Sequence, residues 1–582
     1  MTISRTSKII TNSMNFIAIS VLILLSIYKL FYASQIGLVP DEAYYWEWSR
    51  HLDLSYYDQG PGVALYIRFF TSVFGDTNFA LKLAAVFATF ITTVTVYYTG
   101  VSLGLKSKQL IWVLVFASLI PGFFGGSILI MHDSALLLAW SFALLFTVRY
   151  LKTKNPIYIY LLFISLGYGA LSKHTMVFFA LALVLWIILT PSEYPLFKNI
   201  HFYLGILLAL VIISPVIYWN YKNGWENIDA IINLRSSGGA NFSKVTTGIY
   251  LISQALALSP FWFIGGILLL IIGLSSRYSS LTDNNHLPKL KSFLLSSGDF
   301  PNNAWKMLFF NAAILPIFFL ILSFKKDIQA NWVFASYLSL ILFLAKAMEE
   351  NGKYAKLFRY TIFIGLIPAL LLDVLSFYSV PISKLSPINL DPHYIIGYRH
   401  DGFKEIIEKV DELRQKKDPT AEIIANRYQD ASIASWYLPG QPFSVSINIM
   451  QKNQYNLWNS IEKGKNYFLI HIQEKTCQKS FVFFQPYLKF MFEEMEEFPE
   501  MDIIRDGKTI KRYQVWYLKN YKKSWAVPAS EFIGRKLPVS LIHNLAGTSP
   551  YQMKDPITDI GFELFTNYMD REGEVECSFI KK

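Results

Sequence analysis

Long apolar segments separated by short polar joints fill the first two thirds of the chain. After about residue 380 they give way to short segments of mixed character. A helix needs roughly twenty mainly apolar residues to cross a bilayer. That test predicts about eleven spans, at 14–35, 79–104, 109–130, 134–151, 157–172, 175–190, 202–219, 247–274, 306–323, 331–346 and 358–379, the fifth and tenth being short. Beyond them, residues 402–417 (GFKEIIEKVDELRQKK) have the pattern of an amphipathic helix. Glu422–Ala425, Phe443–Ile447, Tyr467–Ile472 and Tyr513–Leu518 read as strands. Strands alternating with helical pieces predict a small α/β domain. The expected organisation is a transmembrane part over 1–379 with a loop at 36–78, an α/β domain over 380–524, and a polar extension over 525–582.

Composition agrees with a membrane protein. Of 582 residues, 53% are hydrophobic and only 16% are charged, against about 25% charged in a soluble domain. The net charge is +11, but no Lys/Arg run is interleaved with aromatics, so no nucleic-acid partner is expected. Basic joints and contact with membrane lipid account for the balance. No Walker loop and no GxGxxG occurs, which argues against an ATP-driven pump. Residues 1–15 carry Arg5 and Lys8 before an apolar run without a small-residue cleavage site, which predicts a retained first helix. The two cysteines, Cys477 and Cys577, make neither a disulfide scaffold nor a metal cluster. If both are periplasmic they can also pair.

Lys and Arg in the short joints set the orientation. With the N-terminus cytoplasmic, the joints holding Lys106 and Lys108, Arg149, Lys152 and Lys154, Lys198, Arg277, Lys289 and Lys291, and Lys346 to Arg359 are all cytoplasmic. The opposite face receives 36–78, 131–133, 172–175, 220–246, 324–327 and the C-terminal part. Acids and histidines at the ends of spans fall on that face. Such residues at membrane depth are costly and mark function, so their convergence predicts a shared cavity.

Four stretches there can carry chemistry. In Pro40-Asp41-Glu42-Ala43-Tyr44-Tyr45-Trp46-Glu47-Trp48-Ser49-Arg50 the two acids are adjacent, so one can point into a cavity while the other turns to backbone or an interface. Asp41 is the candidate base for an acceptor proton. The aromatics serve equally as sugar faces or as an interfacial belt. In Tyr56-Tyr57-Asp58-Gln59-Gly60-Pro61-Gly62 the glycines let backbone approach a ligand closely. Asp58 orients a donor, pairs with Arg68, or merely caps a turn. At His132-Asp133 the acid either N-caps the next helix or faces the cavity. Lys173-His174 offers a cation for phosphate. Arg68, Arg235, Lys325 and Lys326 are further cations on the same face. No His/Asp/Glu spacing of metal-ligand type occurs.

These residues resemble a known family. DEAYYWEWSRHLDLSYYDQGPG with FGDTNFALKLAAV, then HDSALLLAWSFALL, LSKHTMVFF, SPVIYWNYKNGW, Lys326 with Asn331-Trp332, and NRYQDASIASWYLPGQP with NQYNLW follow one another in order. The set resembles bacterial GT-C-type membrane glycosyltransferases of the protein O-mannosyltransferase and lipid A aminoarabinose transferase superfamily, over roughly residues 15–520. The resemblance implies a polytopic inner-membrane enzyme whose active site and C-terminal domain are periplasmic. It implies inverting transfer of a sugar from a polyprenyl phosphate to an envelope glycolipid such as lipid A or its core. Asp41 then takes the base role and Asp133 is the second acid. Tyr57, Asp58 and Gln59 line the donor phosphate and Lys173 contacts it. Glu42, Tyr44, Tyr45, Arg50, Arg68, His132, His174, Lys325, Lys326, Asn331 and Trp332 complete the substrate-binding set. Relatives carry His or Lys then Pro-Pro after the acid at 58, whereas this chain has Gln59-Gly60-Pro61, so another cation must meet the phosphate. No cofactor is required, and a divalent metal ion stays open. A protein O-glycosyltransferase using the same donor is the rival enzyme. A flippase for a polyprenyl-linked glycan is the rival from another class; it predicts charged or broken spans in repeated halves.

Overall fold

The structure is a computed structural model. It describes residues 2–228, 244–278, 302–348, 353–386, 390–425, 427–447, 453–458, 461–474, 488 and 492–522. Arg235, Lys289, Lys291, both cysteines and the extension from 525 lie outside the described residues. The chain forms two compact units, Met1–Gln35 with His51–Ser376, and Ile36–Arg50 with Phe377–Lys582.

The first unit is helical. Helix α1 (Thr2–Ser34) is followed by α2 (Pro40–Arg50), which belongs to the second unit, and by α3 (Gly62–Phe74), α4 (Asn78–Ser102), α5 (Ser107–Leu119) and α6 (Pro121–Gly126). Next come α7 (His132–Thr153), α8 (Ile157–Ser172), α9 (Val177–Ile188), α10 (Ile200–Lys222), α11 (Lys244–Leu258) and α12 (Pro260–Tyr278). After them are α13 (Asn302–Ser323), α14 (Phe334–Ala347), α15 (Lys353–Ile364) and α16 (Leu366–Leu385). Among the described residues, 7 helical segments are long and apolar enough to cross a membrane, or 9 if two bent pairs count as one span each.

Both bends are explained by local sequence. The segment expected as one span over 247–274 turns by 108° between α11 and α12. There Ser259 takes φ 79 directly before Pro260, and proline disfavours helical backbone in the residue before it. The second bend, 113°, separates α9 from the 3-10 turn Pro191–Lys198. Two further expected spans are shorter helices, α5 and α8, of 13 and 16 residues. Helix α5 stops at Leu119 because Pro121 removes the next donor and restarts the chain as α6. The loop expected over 36–78 contains two helices, of which α3 is amphipathic and buries Val63, Ala64, Ile67 and Phe70.

Bulky apolar side chains cover the outside of this unit, with Phe16 74%, Tyr221 73% and Ile367 71% exposed, as lipid contact permits. Threonines inside α4 turn their hydroxyls back onto their own helix: Thr93, Thr95 and Thr99 donate to the carbonyls of Thr89, Ile91 and Thr95. That satisfies each hydroxyl where water is absent. Trp140, Trp186, Trp262 and Trp305 are fully buried. The Trp186 and Trp262 indoles donate to the carbonyls of Asn303 and Ile362, both at 2.9 Å.

The second unit is α/β. Helix α17 (Phe403–Lys417) buries Phe403, Ile406, Ile407 and Val410, one stripe at helical spacing. Strands β1 (Glu422–Ala425), β2 (Val445–Ser446), β3 (Tyr467–Gln473), β4 (Phe492–Glu497), β5 (Met501–Arg505) and β6 (Lys508–Tyr521) form one sheet in the order β2-β1-β3-β6-β4, with β5 also on β6. Strand β1 runs parallel to β2 and β3, whereas β6 runs antiparallel to β3, Tyr467 facing Leu518. Sequence patterning did not show β4 or β5. FEEMEE is mostly solvent-facing and charged, and MDIIR is only five residues long with a single buried position, so the apolar alternation is weak. Helix α18 (Tyr428–Tyr437) lies between β1 and β2 in sequence, and α2 packs against it.

Candidate active site

Helix α7 opens at His132, after an extended Met131. Asp133 sits in the first turn but does not cap the helix. Its Oδ1 accepts from Lys173 Nζ at 2.7 Å, and its Oδ2 accepts from Asn331 Nδ2 at 2.7 Å. Lys173 is an extended residue between α8 and the 3-10 turn His174–Met176. Asn331 lies on the turn Ala330–Val333 that leads into α14. Three distant segments, all expected from sequence, therefore meet on one carboxylate. Asp133 and Asn331 line a mainly apolar cavity of about 300 Å³, with Ser134, Gln329, Phe123 and Leu338 among its other walls. A mainly apolar cavity with a carboxylate in its lining, itself paired to a lysine, can hold a ligand that is polar at one end and lipid at the other.

The Gln59-Gly60-Pro61-Gly62 turn sits on the end of α8. A side chain on Gly60 would collide with the Leu171 carbonyl, and one on Gly62 with Ser172. The close approach expected of these glycines is thus made to a helix end. It places Gln59 against His174: Gln59 Oε1 accepts the His174 backbone N–H at 3.2 Å and lies 2.6 Å from its Nδ1. The other ring nitrogen, Nε2, lies 2.8 Å from Asn227 Oδ1. Asn227 Nδ2 donates to the carbonyls of Tyr56 and Tyr57. Tyr57 and Asp58 are half-buried in the same loop. His132 is buried, in electrostatic reach of Lys173 and His174.

In the second unit, Pro40 opens α2 at the position where a missing N–H costs nothing. Glu42 reaches back to accept the Val39 N–H at 3.1 Å, half of a capping box. Of the two adjacent acids, it is therefore Glu42 that turns to backbone. Asp41 Oδ1 accepts from the Tyr428 hydroxyl at 3.4 Å. Burial pushes the Asp41 carboxyl up to about 6, with Glu474 and Glu42 adding to the rise and Tyr428 and Arg427 opposing it. Such a carboxylate is a competent base near neutral pH. Arg427 is itself held by Asp430 at 2.7 Å and by the Ile472 carbonyl at 2.9 Å.

The aromatics of α2 go largely into packing. Tyr44 is buried between Tyr428 and Tyr455 and its hydroxyl accepts the Gln454 N–H at 2.8 Å. Trp46 packs edge-on against Trp436. Arg50 lies over the Trp46 ring and pairs with Glu47 at 3.4 Å. Tyr45 is half-buried. Arg68 and Lys325 are exposed and Lys326 is half-buried, while Trp332 donates to Gln329 Oε1 at 3.2 Å. Among the described residues no three His, Cys, Asp or Glu gather as a metal site.

Sequence reasoning missed Asn227, Gln329, Arg427 and Tyr428. The last two stand in the quoted NRYQDASIASWYLPGQP stretch, where the polar residues gave no sign of which faces Asp41. Asn227 follows a Gly-Trp pair and carried no signal of its own.

Residues 58–219 match the model of the dolichyl-phosphate-mannose-protein mannosyltransferase family. No curated protein matched the sequence. The fold is similar to that of ArnT from Cupriavidus metallidurans bound to undecaprenyl phosphate, with a TM-score of 0.55 and 13% identity over 86% of this chain and 97% of that one. ArnT from the same organism in the apo state gives 0.55 and 12% identity, over 87% and 98%. The chain therefore has the GT-C glycosyltransferase fold of ArnT, with a C-terminal sheet domain, and resembles the mannosyltransferase superfamily through its segment 58–219.

Proposed function

We propose that the protein is an inverting glycosyltransferase that takes a sugar from a polyprenyl phosphate and moves it to a cell-envelope glycolipid. The observation that carries the reading is the Asp133 carboxylate, gripped by Lys173 and Asn331 and lining a mainly apolar cavity. The undecaprenyl phosphate bound to ArnT and the dolichyl phosphate in the matching family's description are both lipid phosphates. The sequence resemblance assigns the base role to Asp41, in the second unit: it accepts the proton of the acceptor hydroxyl as that oxygen attacks the sugar C1. The bond from C1 to the phosphate oxygen breaks through an oxocarbenium-like state, and the phosphate leaves as an anion. Lys173 supplies positive charge where that anion develops, and Asp133 and Asn331 hold it in place. Asp133 and Lys173 face the periplasm of a bacterial inner membrane, the side opposite the basic joints.

Membranes containing the protein, given radiolabelled polyprenyl-phosphate sugars, are expected to label an envelope lipid. Label that stays on the polyprenyl carrier while active control membranes transfer it sinks the reading. The matching family acts on proteins by its description, which favours a second acceptor class. Label found in secreted protein instead of lipid decides for that class.

A further inference from the structure

His174 has its protonation state dictated by its neighbours. Nδ1 lies 2.6 Å from Gln59 Oε1, and Nε2 lies 2.8 Å from Asn227 Oδ1. Neither amide can be turned over. Gln59 Oε1 also accepts the His174 backbone N–H at 3.2 Å, so a turned amide would set its NH2 against that donor. Asn227 Nδ2 donates to two carbonyls, Tyr56 at 2.8 Å and Tyr57 at 3.0 Å. A turned Asn227 would set its oxygen against both. Such networks assign amide orientation. Both ring nitrogens therefore meet acceptors, yet a neutral imidazole carries a single N–H. A neutral ring would leave a nitrogen lone pair against an oxygen lone pair; His174 is half-buried and its partner Asn227 fully buried.

We propose that Gln59 and Asn227 hold His174 as an imidazolium, a fixed cation beside Lys173 that binds the phosphate of a polyprenyl phosphate. The phosphate half rests on the glycosyltransferase reading; the protonation half does not. Gln59 and Asn227 are neutral, so they fix the ring without cancelling its charge. Lys173 lies on its own segment and is paired with Asp133 of α7, His132 of α7 is within electrostatic reach, and in sequence Asp58 adjoins Gln59 and Glu226 adjoins Asn227. Asp133 offsets Lys173 directly, which lowers the repulsion that a second cation would meet. The arrangement also supplies positive charge where Gln59 has none.

The full-length protein in lipid nanodiscs, labelled with 15N-histidine, gives the test. Neutral and doubly protonated rings have distinct 15N shifts, and the chain has 9 histidines. One signal is expected to stay imidazolium at pH 8, to vanish in His174→Asn, and to become neutral in Asn227→Leu. If no histidine is imidazolium at pH 8 in the unmodified protein, the proposal is overturned, whether or not the variants fold. For the phosphate half, undecaprenyl phosphate is expected to bind His174→Asn at least tenfold more weakly than the unmodified protein, with undecaprenol binding unchanged. Equal undecaprenyl phosphate affinity in a folded His174→Asn overturns that half. Failure of the unmodified protein to bind undecaprenyl phosphate refutes the glycosyltransferase reading instead.

Discussion

Lys173 Nζ lies 2.7 Å from Asp133 Oδ1, and the two side chains are 9% and 17% exposed. They come from segments forty residues apart, and Asn331 closes the second oxygen of the same carboxylate. A pair this shielded behaves unlike a surface ion pair, because removing one partner strands the other charge.

Asp133→Ala should therefore lower stability by about 3 kcal/mol and abolish transfer. Adding Lys173→Met should return much of the stability and none of the activity. Thermal unfolding in detergent, run beside a transfer assay, checks both. Equal unfolding temperatures in the single and double variants would refute the pairing as an energetic unit.

Asp41 titrates high, at about 6, chiefly because it is buried. A base works only when deprotonated, so kcat/KM should fall as pH drops through about 6. Asp41→Asn should abolish transfer without loss of membrane expression, and near-normal activity would end the base assignment. The stability effect has the opposite sense. A buried acid with a raised folded value destabilises the fold fully above that value, and the penalty fades as pH falls from about 6 to the ordinary carboxylate value of 3.8. Asp41→Asn should accordingly unfold at a higher temperature than the unmodified protein at pH 8, with the difference shrinking by pH 5.

Tyr428→Phe removes the hydroxyl that donates to Asp41. That bond favours the charged carboxylate, so its loss should move the acidic limb of the pH profile upward by a few tenths of a unit. A change in rate without a shift of the limb would mean that Tyr428 only packs.

Gly62→Ala puts a methyl group into Ser172 at the end of α8. Overpacking of this kind costs about 2 kcal/mol. It should also push Gln59 away from His174, so transfer should fall more than expression does. Wild-type activity in Gly62→Ala would show that the turn's position does not matter.

Hydrophobic length and period determined much of this protein. Apolar runs near twenty residues marked nearly every helix of the first unit, and the stripe Phe403, Ile406, Ile407, Val410 marked α17. Asp133, Lys173 and Asn331 were legible as candidates because polar residues at the ends of apolar spans are expensive and stand out. What the sequence could not decide was which competing local use each residue takes. Asp133 had a cap available and Glu42 a cavity; the fold gave Asp133 to Lys173 and Glu42 to the Val39 backbone. By sequence Gly60 and Gly62 offer room for a ligand, yet they make room for a helix end. Membership of residues 36–50 in the C-terminal unit, with Tyr428 on Asp41, joins positions almost four hundred residues apart. Local propensity carries no information at that separation. Spans and candidate residues follow from transfer free energy along the chain, whereas pairing follows from packing between segments, which only the tertiary structure decides.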